Sequence, residues 1–509
     1  MGIFQHVATL SGANAAFTSR ITDLDLIETE AGTRLYAVTR ADGGMSAWDP
    51  TGAGAAVELS EQAFRSNYGR LGDPDLVMVT VDGTSYLLPA AIGDTSNSAF
   101  FLSDATGEIL SRVKFNAEFQ PANDALLFTT LTVAGHPFVI SVSAAQGHPT
   151  VYEATNTRSL ELRCTGASAD PARVEALTSV VVNGQPIVLT ATGTSTTLTA
   201  YLLDPATGAL SVGGQIDMSD GIGFQGFTAL STAQIGNITY VIAAGAGSSS
   251  LTVFSLSPSG SLIPVDHAVD MLETRFSGAA IVESFTFGDQ AFVLTSGGDD
   301  GVSLFQLLPD GHLLYLESLS DSNDLPLENI SAMAIDVING QPRLFIASET
   351  ETGIAQFNLA LGARGVTVIG GGQIGGTAQS DLLVAGDNTS RMASGSGDDI
   401  LVVDGQTVTL NGGCGADRFV FLSASGTVII EDFQRGVDVL DLSVLSGLYS
   451  GAQLSLQQED WGATLSYGTL TLQIQMSDFN PMSVSGLITQ ISFGPAHYAP
   501  QPLPQTTPH

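Results

Sequence analysis

Between Gly376 and Val420 the chain can be cut every nine residues, as GTAQSDLLV, AGDNTSRMA, SGSGDDILV, VDGQTVTLN and GGCGADRFV. The sixth place of these units holds Asp381, Ser390, Asp399, Val408 and Asp417 in turn, so carboxylates occupy the odd units and are missing from the even ones. Regularly spaced carboxylates are oxygen donors, and the chemistry they offer is capture of a hard divalent cation. The charge of the whole chain points the same way: 51 acidic residues against 16 basic ones give −35, and Lys114 is the sole lysine. Such a field repels nucleic acid and anionic membranes unless divalent cations neutralise it or bridge it to another acidic polymer, and calcium is the candidate.

The eighth place of each unit is apolar: Leu383, Met392, Leu401, Leu410 and Phe419. Each unit therefore reads as a six-residue turn followed by a three-residue strand with its central side chain inward, and stacked units pair as a parallel roll. The third and fifth units resemble the RTX, or haemolysin-type, calcium-binding repeat. The resemblance implies a parallel β-roll whose turns alternate between two sides, with each Ca²⁺ held between a turn and the turn two units later. Glycines in such turns permit left-handed backbone and let carbonyl oxygens converge, and calcium takes 6–8 oxygens at about 2.3–2.6 Å. Carried onto this chain, the best site lies between turns 394–399 and 412–417, from Asp399 and Asp417 with carbonyls around Gly395, Gly397, Gly413 and Gly415. A weaker one joins Asp381 to Asp399, with Gln379 in place of a glycine. One or two ions are expected.

Downstream, DRFVFLSASGTVIIEDFQRGVDVLDLSVL (Asp417 to Leu445) resembles the capping segment of serralysin-type RTX proteins. There Asp432, Asp438 and Asp441 read either as outer ligands or as turn caps. Strands at Ala463 to Tyr467 and Leu470 to Met476 would finish a small β-sandwich on the roll. The resemblance covers about 376 to 490. The zinc protease motif HExxH of serralysin relatives is missing, as is a GxSxG elbow, and the seven histidines show no metal-face spacing. Cys164 and Cys414 have no second thiol near them in sequence and read as incidental.

The rest of the chain must position whatever the roll carries. A glycine in an apolar-turn-apolar context recurs at Gly32, Gly83, Gly135, Gly184, Gly236, Gly288 and Gly340, at intervals of 51, 52, 49, 52, 52 and 52. Two copies, VVVNGQPIVLTA (Val180 to Ala191) and DVINGQPRLFIAS (Asp336 to Ser348), are nearly identical, and each reads as strand, Asn-Gly turn, strand. A third strand follows about twenty residues after each glycine, as in YLLDPATG (Tyr201 to Gly208) and FQLLPDG (Phe305 to Gly311), and usually a fourth. Four antiparallel strands repeated seven times make a seven-bladed β-propeller. Ring closure is expected from Ile3 to Leu10 pairing with Gly353 to Leu361.

The reading is all-β: a seven-bladed β-propeller over 1–365, an RTX β-roll with a sandwich-like cap over 366–492, and a proline-rich extended tail over 493–509. Loops on one propeller face carry Arg40 and Asp42, His148, Asp299 and Asp300, and Glu349 and Glu351, an acidic rim suited to a sugar, a substrate or another calcium. No basic n-region or long apolar run opens the sequence, and no stretch reaches the roughly 20 apolar residues of a membrane span. These features point to an extracellular or particle-surface protein that binds rather than catalyses. Its expected partner is a cell-surface carbohydrate or protein receptor, as on a spike of a phage-like or gene-transfer particle, with the tail as an attachment peptide. A secreted propeller hydrolase or lactonase with RTX export repeats, and a surface-layer component, are the alternatives.

Overall fold

The Asn-Gly dipeptides form the tight turns their chemistry prescribes. Asn183 and Gly184 have φ of 48° and 86°, and Asn339 and Gly340 have 53° and 76°. Two consecutive positive φ values give a two-residue turn whose twist matches the flanking strands, so Val182 pairs with Gln185 and Ile338 with Gln341. The computed structural model describes residues 2–498 except 41–42, 65–68, 71, 94–97, 115–124, 144–146, 157–158, 167–171, 218–219, 221–222 and 323.

Each hairpin acquires a third and a fourth strand, giving seven antiparallel sheets. Neighbouring sheets pack face to face, which is why second strands such as Gln185–Thr192 and Gln341–Ser348 are buried almost throughout and read as apolar runs rather than alternations. The cores lie between blades. Leu189 and Ala200 of the fourth blade pack with Val241 and Phe254 of the fifth, and Phe345 and Ile354 of the seventh pack with Leu35 and Trp48 of the first. The ring closes as expected: Phe4–Leu10 pairs antiparallel with Ile354–Leu359, from Phe4 opposite Leu359 to Leu10 opposite Ile354. The architecture is a seven-bladed propeller.

A β-solenoid of 18-residue coils follows. Leu383, Leu401, Phe419 and Leu440 stack as one wall, while Met392, Leu410, Ile430 and Ile474 stack as the other. All eight side chains are fully buried, so the apolar eighth place of the nonapeptides is the roll's core. The solenoid starts one coil before the first nonapeptide, with Arg364–Gly375, where Val368 and Ile374 pair with Leu383 and Met392. The cap continues the second wall rather than adding a separate layer. Ser425–Phe433 pairs parallel with Thr469–Met476, which leads antiparallel into Gly462–Tyr467 and Ser455–Glu459.

The roll docks on the propeller face that carries the strand-to-strand turns of the fifth and sixth blades. Leu308 and Leu314 of the sixth blade pack against Leu382, Ile400, Val402 and Val420, and Arg418 Nη1 donates to Tyr315 O at 3.2 Å. Among the described residues, these contacts lie on the face opposite the rim loops. The segment assigned to an extended tail begins with a docked strand, Ala496–His497, which adds to the fifth blade beside Val269 and Ala268. No helix among the described residues is long and apolar enough to cross a membrane.

Candidate metal centre

Stacking the coils at 18-residue spacing superposes the aspartates on one edge, where each carboxylate accepts the backbone N–H of the aspartate one coil earlier. Asp381 N donates to Asp399 Oδ1 (2.8 Å), Asp399 N to Asp417 Oδ1 (3.1 Å) and Asp417 N to Asp438 Oδ1 (3.1 Å). All four side chains are buried. Asp381, Asp399 and Asp417 thus share one edge, and Asp438 extends their ladder by a fourth rung.

The second carboxylate oxygen separates these rungs. Where the residue four places before the aspartate bears a side chain, its backbone N–H closes on that oxygen: Thr377 N on Asp381 Oδ2 at 2.5 Å, and Gln434 N on Asp438 Oδ2 at 2.7 Å. Where it is glycine, with φ of 110° at Gly395 and 89° at Gly413, no such bond closes, and Gly413 N donates to Asp432 Oδ2 instead. Asp399 Oδ2 and Asp417 Oδ2 are then buried without any hydrogen-bond partner among the described residues. An unpaired buried carboxylate oxygen is costly. Burial, with the charges of Asp381 and Asp398, pushes the Asp399 carboxyl up to about 6. Burial, followed by the charges of Asp438, Asp399 and Asp432, pushes Asp417 up to about 8.

Residues around the edge have settled roles. Val366 N takes the other oxygen of Asp381 at 2.6 Å, so Asp381 has no free oxygen. Asp432 accepts from Gly412 N and Gly413 N at 3.0 and 2.7 Å, and Asp441 pairs with Arg418 at 2.6 Å; both work as caps or partners within the fold. Gly397 and Gly415 have φ of 121° and 135°, and a Cβ on Gly415 would lie 2.0 Å from Gly397 O, so only glycine lets these turns stack. Among the described residues no three or more His, Cys, Asp or Glu side chains group closely enough to hold a metal by themselves. A cation here would need backbone carbonyls beside Asp399 and Asp417.

On the rim, the carboxylates are engaged in bracing loops. Asp299 Oδ1 accepts from Ser277 N (3.1 Å), Asp300 Oδ1 from Asn329 N (2.8 Å) and Glu351 Oε2 from Glu328 N (3.0 Å). Glu349 pairs with Arg40, which also holds Asp73. His148 is half-buried with Nδ1 unpartnered among the described residues, and Asp42 lies outside the described residues.

Sequence motifs did not reveal the acids of the propeller channel. Asp25 and Glu283 hold the same place on the innermost strands of the first and sixth blades, four residues before the strand ends at Thr29 and Phe287. Burial and then the charge of Asp23 raise Asp25 to about 7, while burial and then the charges of Asp25 and Asp23 raise Glu283 to about 8. Burial also raises Asp23 and, further, Asp75, where the charges of Asp23 and Asp25 add to it. A cavity of about 460 Å³ opens beside Asp25, lined also by Val77, Met78, Thr129 and Thr130. The available signal was an acid at the same place in two strands that start a blade, Asp25 in TDLDLIE and Glu283 in IVESF.

No family model matches this chain, and no curated protein matches it. Among solved structures, the crystal structure of a protein from Lactobacillus plantarum is similar with a TM-score of 0.44 and 19% identity, over 60% of this chain and 85% of that one.

Proposed function

We propose that this protein is an extracellular, calcium-dependent binding protein, whose propeller rim recognises a cell-surface glycan or receptor and whose roll becomes fully ordered when calcium is present. The observation that carries the calcium part is the pair of buried, unpartnered oxygens Asp399 Oδ2 and Asp417 Oδ2 on consecutive coils. Asp399 and Asp417, with Gly395 and Gly397 carbonyls, would hold the ion. Calcium would supply the positive charge that these crowded carboxylates lack. Asp381 does not fit as a ligand, because both its oxygens are already bonded. Recognition is assigned to the rim because the roll covers the opposite face, and the segment beyond residue 498 would serve as the attachment peptide to a cell or particle surface.

Calcium calorimetry on the full chain, followed by a glycan array with and without calcium, tests this reading. Heat of binding at or below millimolar calcium and calcium-dependent glycan capture are expected; no heat at millimolar calcium refutes the calcium part, and a blank array refutes the ligand class. A second reading, a propeller hydrolase or lactonase, draws support from the channel carboxyls, which titrate near 7 and 8 as general acids or bases do. Turnover of lactones or oligosaccharides that disappears in Glu283→Gln would replace the first reading with this one.

A further inference from the structure

The last glycine turn of the roll ends against a side-chain amide. Gly413 O and Gly415 O both accept from the single nitrogen Nε2 of Gln434, at 2.7 and 3.2 Å. One coil further a second glutamine bridges two carbonyls, here four residues apart: Gln490 Nε2 donates to Gln434 O at 3.1 Å and to Asp438 O at 2.8 Å. Gln490 is 7% exposed. Two carbonyl oxygens converging on one point are part of the donor set a cation needs, and here that point is filled by a neutral –NH₂ whose two hydrogens match two acceptors.

The coil before differs in one residue. Four places before the ladder aspartates stand Thr377, Gly395, Gly413 and Gln434. What stacks on Gly395 is therefore Gly413, which has no side chain to offer, and what stands in the same place above Gly413 is Gln434. The level without a glutamine is also the level with two open carboxylate oxygens, Asp399 Oδ2 and Asp417 Oδ2. At the glutamine level Asp438 is closed on both oxygens, by Asp417 N and Gln434 N.

We propose that Gln434, and behind it Gln490, are built-in plugs that occupy with amide N–H groups the carbonyl cradles a cation would otherwise take, so that the roll accepts one ion only, between Asp399 and Asp417. The terminal coils then hold their shape at any calcium concentration and form a preassembled end on which the metal-dependent level stacks. The count of one rests on the calcium reading above. The plug itself rests only on the glutamine geometry.

The test compares the full chain with Gln434→Ala, which removes the plug, and with Gln434→Glu, which keeps its shape and adds a carboxylate. Calcium chloride titration calorimetry gives the stoichiometry, and thermal melts are run in calcium and in EDTA. The expected results are one ion in the native chain and two in either variant. In EDTA both variants should melt at least about 2–4 °C below the native chain, with most of that loss recovered in calcium. If both variants lose the same in calcium as in EDTA and still bind one ion, Gln434 is a ladder cap and nothing more, and the proposal is overturned. A native chain that binds two or more ions also overturns it. A native chain that binds none, with variants rescued by calcium, would remove the calcium reading and leave the plug standing.

Discussion

The channel acids make the propeller's stability depend on pH in a direction that the structure fixes. Glu283 titrates near 8 and Asp25 near 7 in the folded chain, against ordinary values of 4.5 and 3.8. At pH 9 both are ionised whether the chain is folded or not, and the cost of confining their charges among protein is fully present. As the pH falls through 8 and then 7, the folded state takes up protons that the unfolded state does not, so stability rises; the gain is complete near pH 5, where unfolded carboxyls begin to protonate as well. Each tenfold difference in proton affinity is worth about 1.4 kcal/mol, which would give about 4 kcal/mol per group in a dry site. Both side chains are only partly shielded from channel water, and screening reduces the figure to on the order of 1–2 kcal/mol each. Lowering the pH also relieves the repulsion of the −35 net charge, so the native curve alone proves nothing. The informative quantity is the difference in melting temperature between Glu283→Gln and the native chain, from pH 5.5 to 9 at constant calcium. The variant should be more stable at pH 9 by a few degrees, and the advantage should vanish by pH 6. A difference that stays constant with pH, or a variant less stable at pH 9, would refute the reasoning.

Two further perturbations probe the roll and its attachment. Asp417→Asn removes a carboxylate that has no partner on Oδ2, so in EDTA at pH 9, where the metal-free carboxyl is ionised, it should raise the melting temperature, and at any pH it should abolish the response to calcium; an unchanged calcium response would dismiss Asp417 as a ligand. At the other end, His497 Nδ1 lies 2.8 Å from Asp266 Oδ1 with both side chains almost fully buried, and although burial pushes the Asp266 carboxyl up, His497 holds it below the ordinary value. His497→Ala should cost about 3 kcal/mol and free Ala496–His497 from the fifth blade, read as faster carboxypeptidase trimming past residue 498; unchanged trimming would show that the strand holds without the pair.

How much of this the sequence could disclose depended on whether a feature repeats. The propeller was legible because the same turn chemistry recurs seven times, and Asn183-Gly184 and Asn339-Gly340 admit little besides a tight hairpin. The roll was legible from Leu383 to Phe419 because a nine-residue period leaves one inward place per unit, and its first coil, though within the 366–492 assigned to the roll, could not be cut into units because Val368 and Ile374 lie in a stretch without acids. Single events were harder. The ladder of Asp381, Asp399 and Asp417 follows from an 18-residue stacking that the period implies, whereas Asp438 joins it after a 21-residue coil that the period does not give; which oxygen stays open goes with whether a glycine or a side chain stands four places earlier. That distinction separates Gly395 and Gly413 from Thr377 and Gln434, and it is a matter of backbone rotation, not of composition. Glu283 feels the charge of Asp25 from another blade, and the His497 latch joins residues far apart in the chain, His497 with Asp266. No local pattern encodes these, because the ring geometry that brings them together is itself the product of all seven blades. The rim residues show a second use of acids that sequence alone does not separate from ligand binding. Asp299, Asp300, Glu349 and Glu351 were conspicuous as exposed loop acids, but short loops have unpaired backbone N–H groups to satisfy, and three of these acids are used to do so while the fourth pairs with Arg40. A carboxylate in a tight loop is thus weaker testimony to a ligand than one whose oxygen the fold leaves unpaired, and by that criterion attention shifts from the rim acids to Asp399 and Asp417.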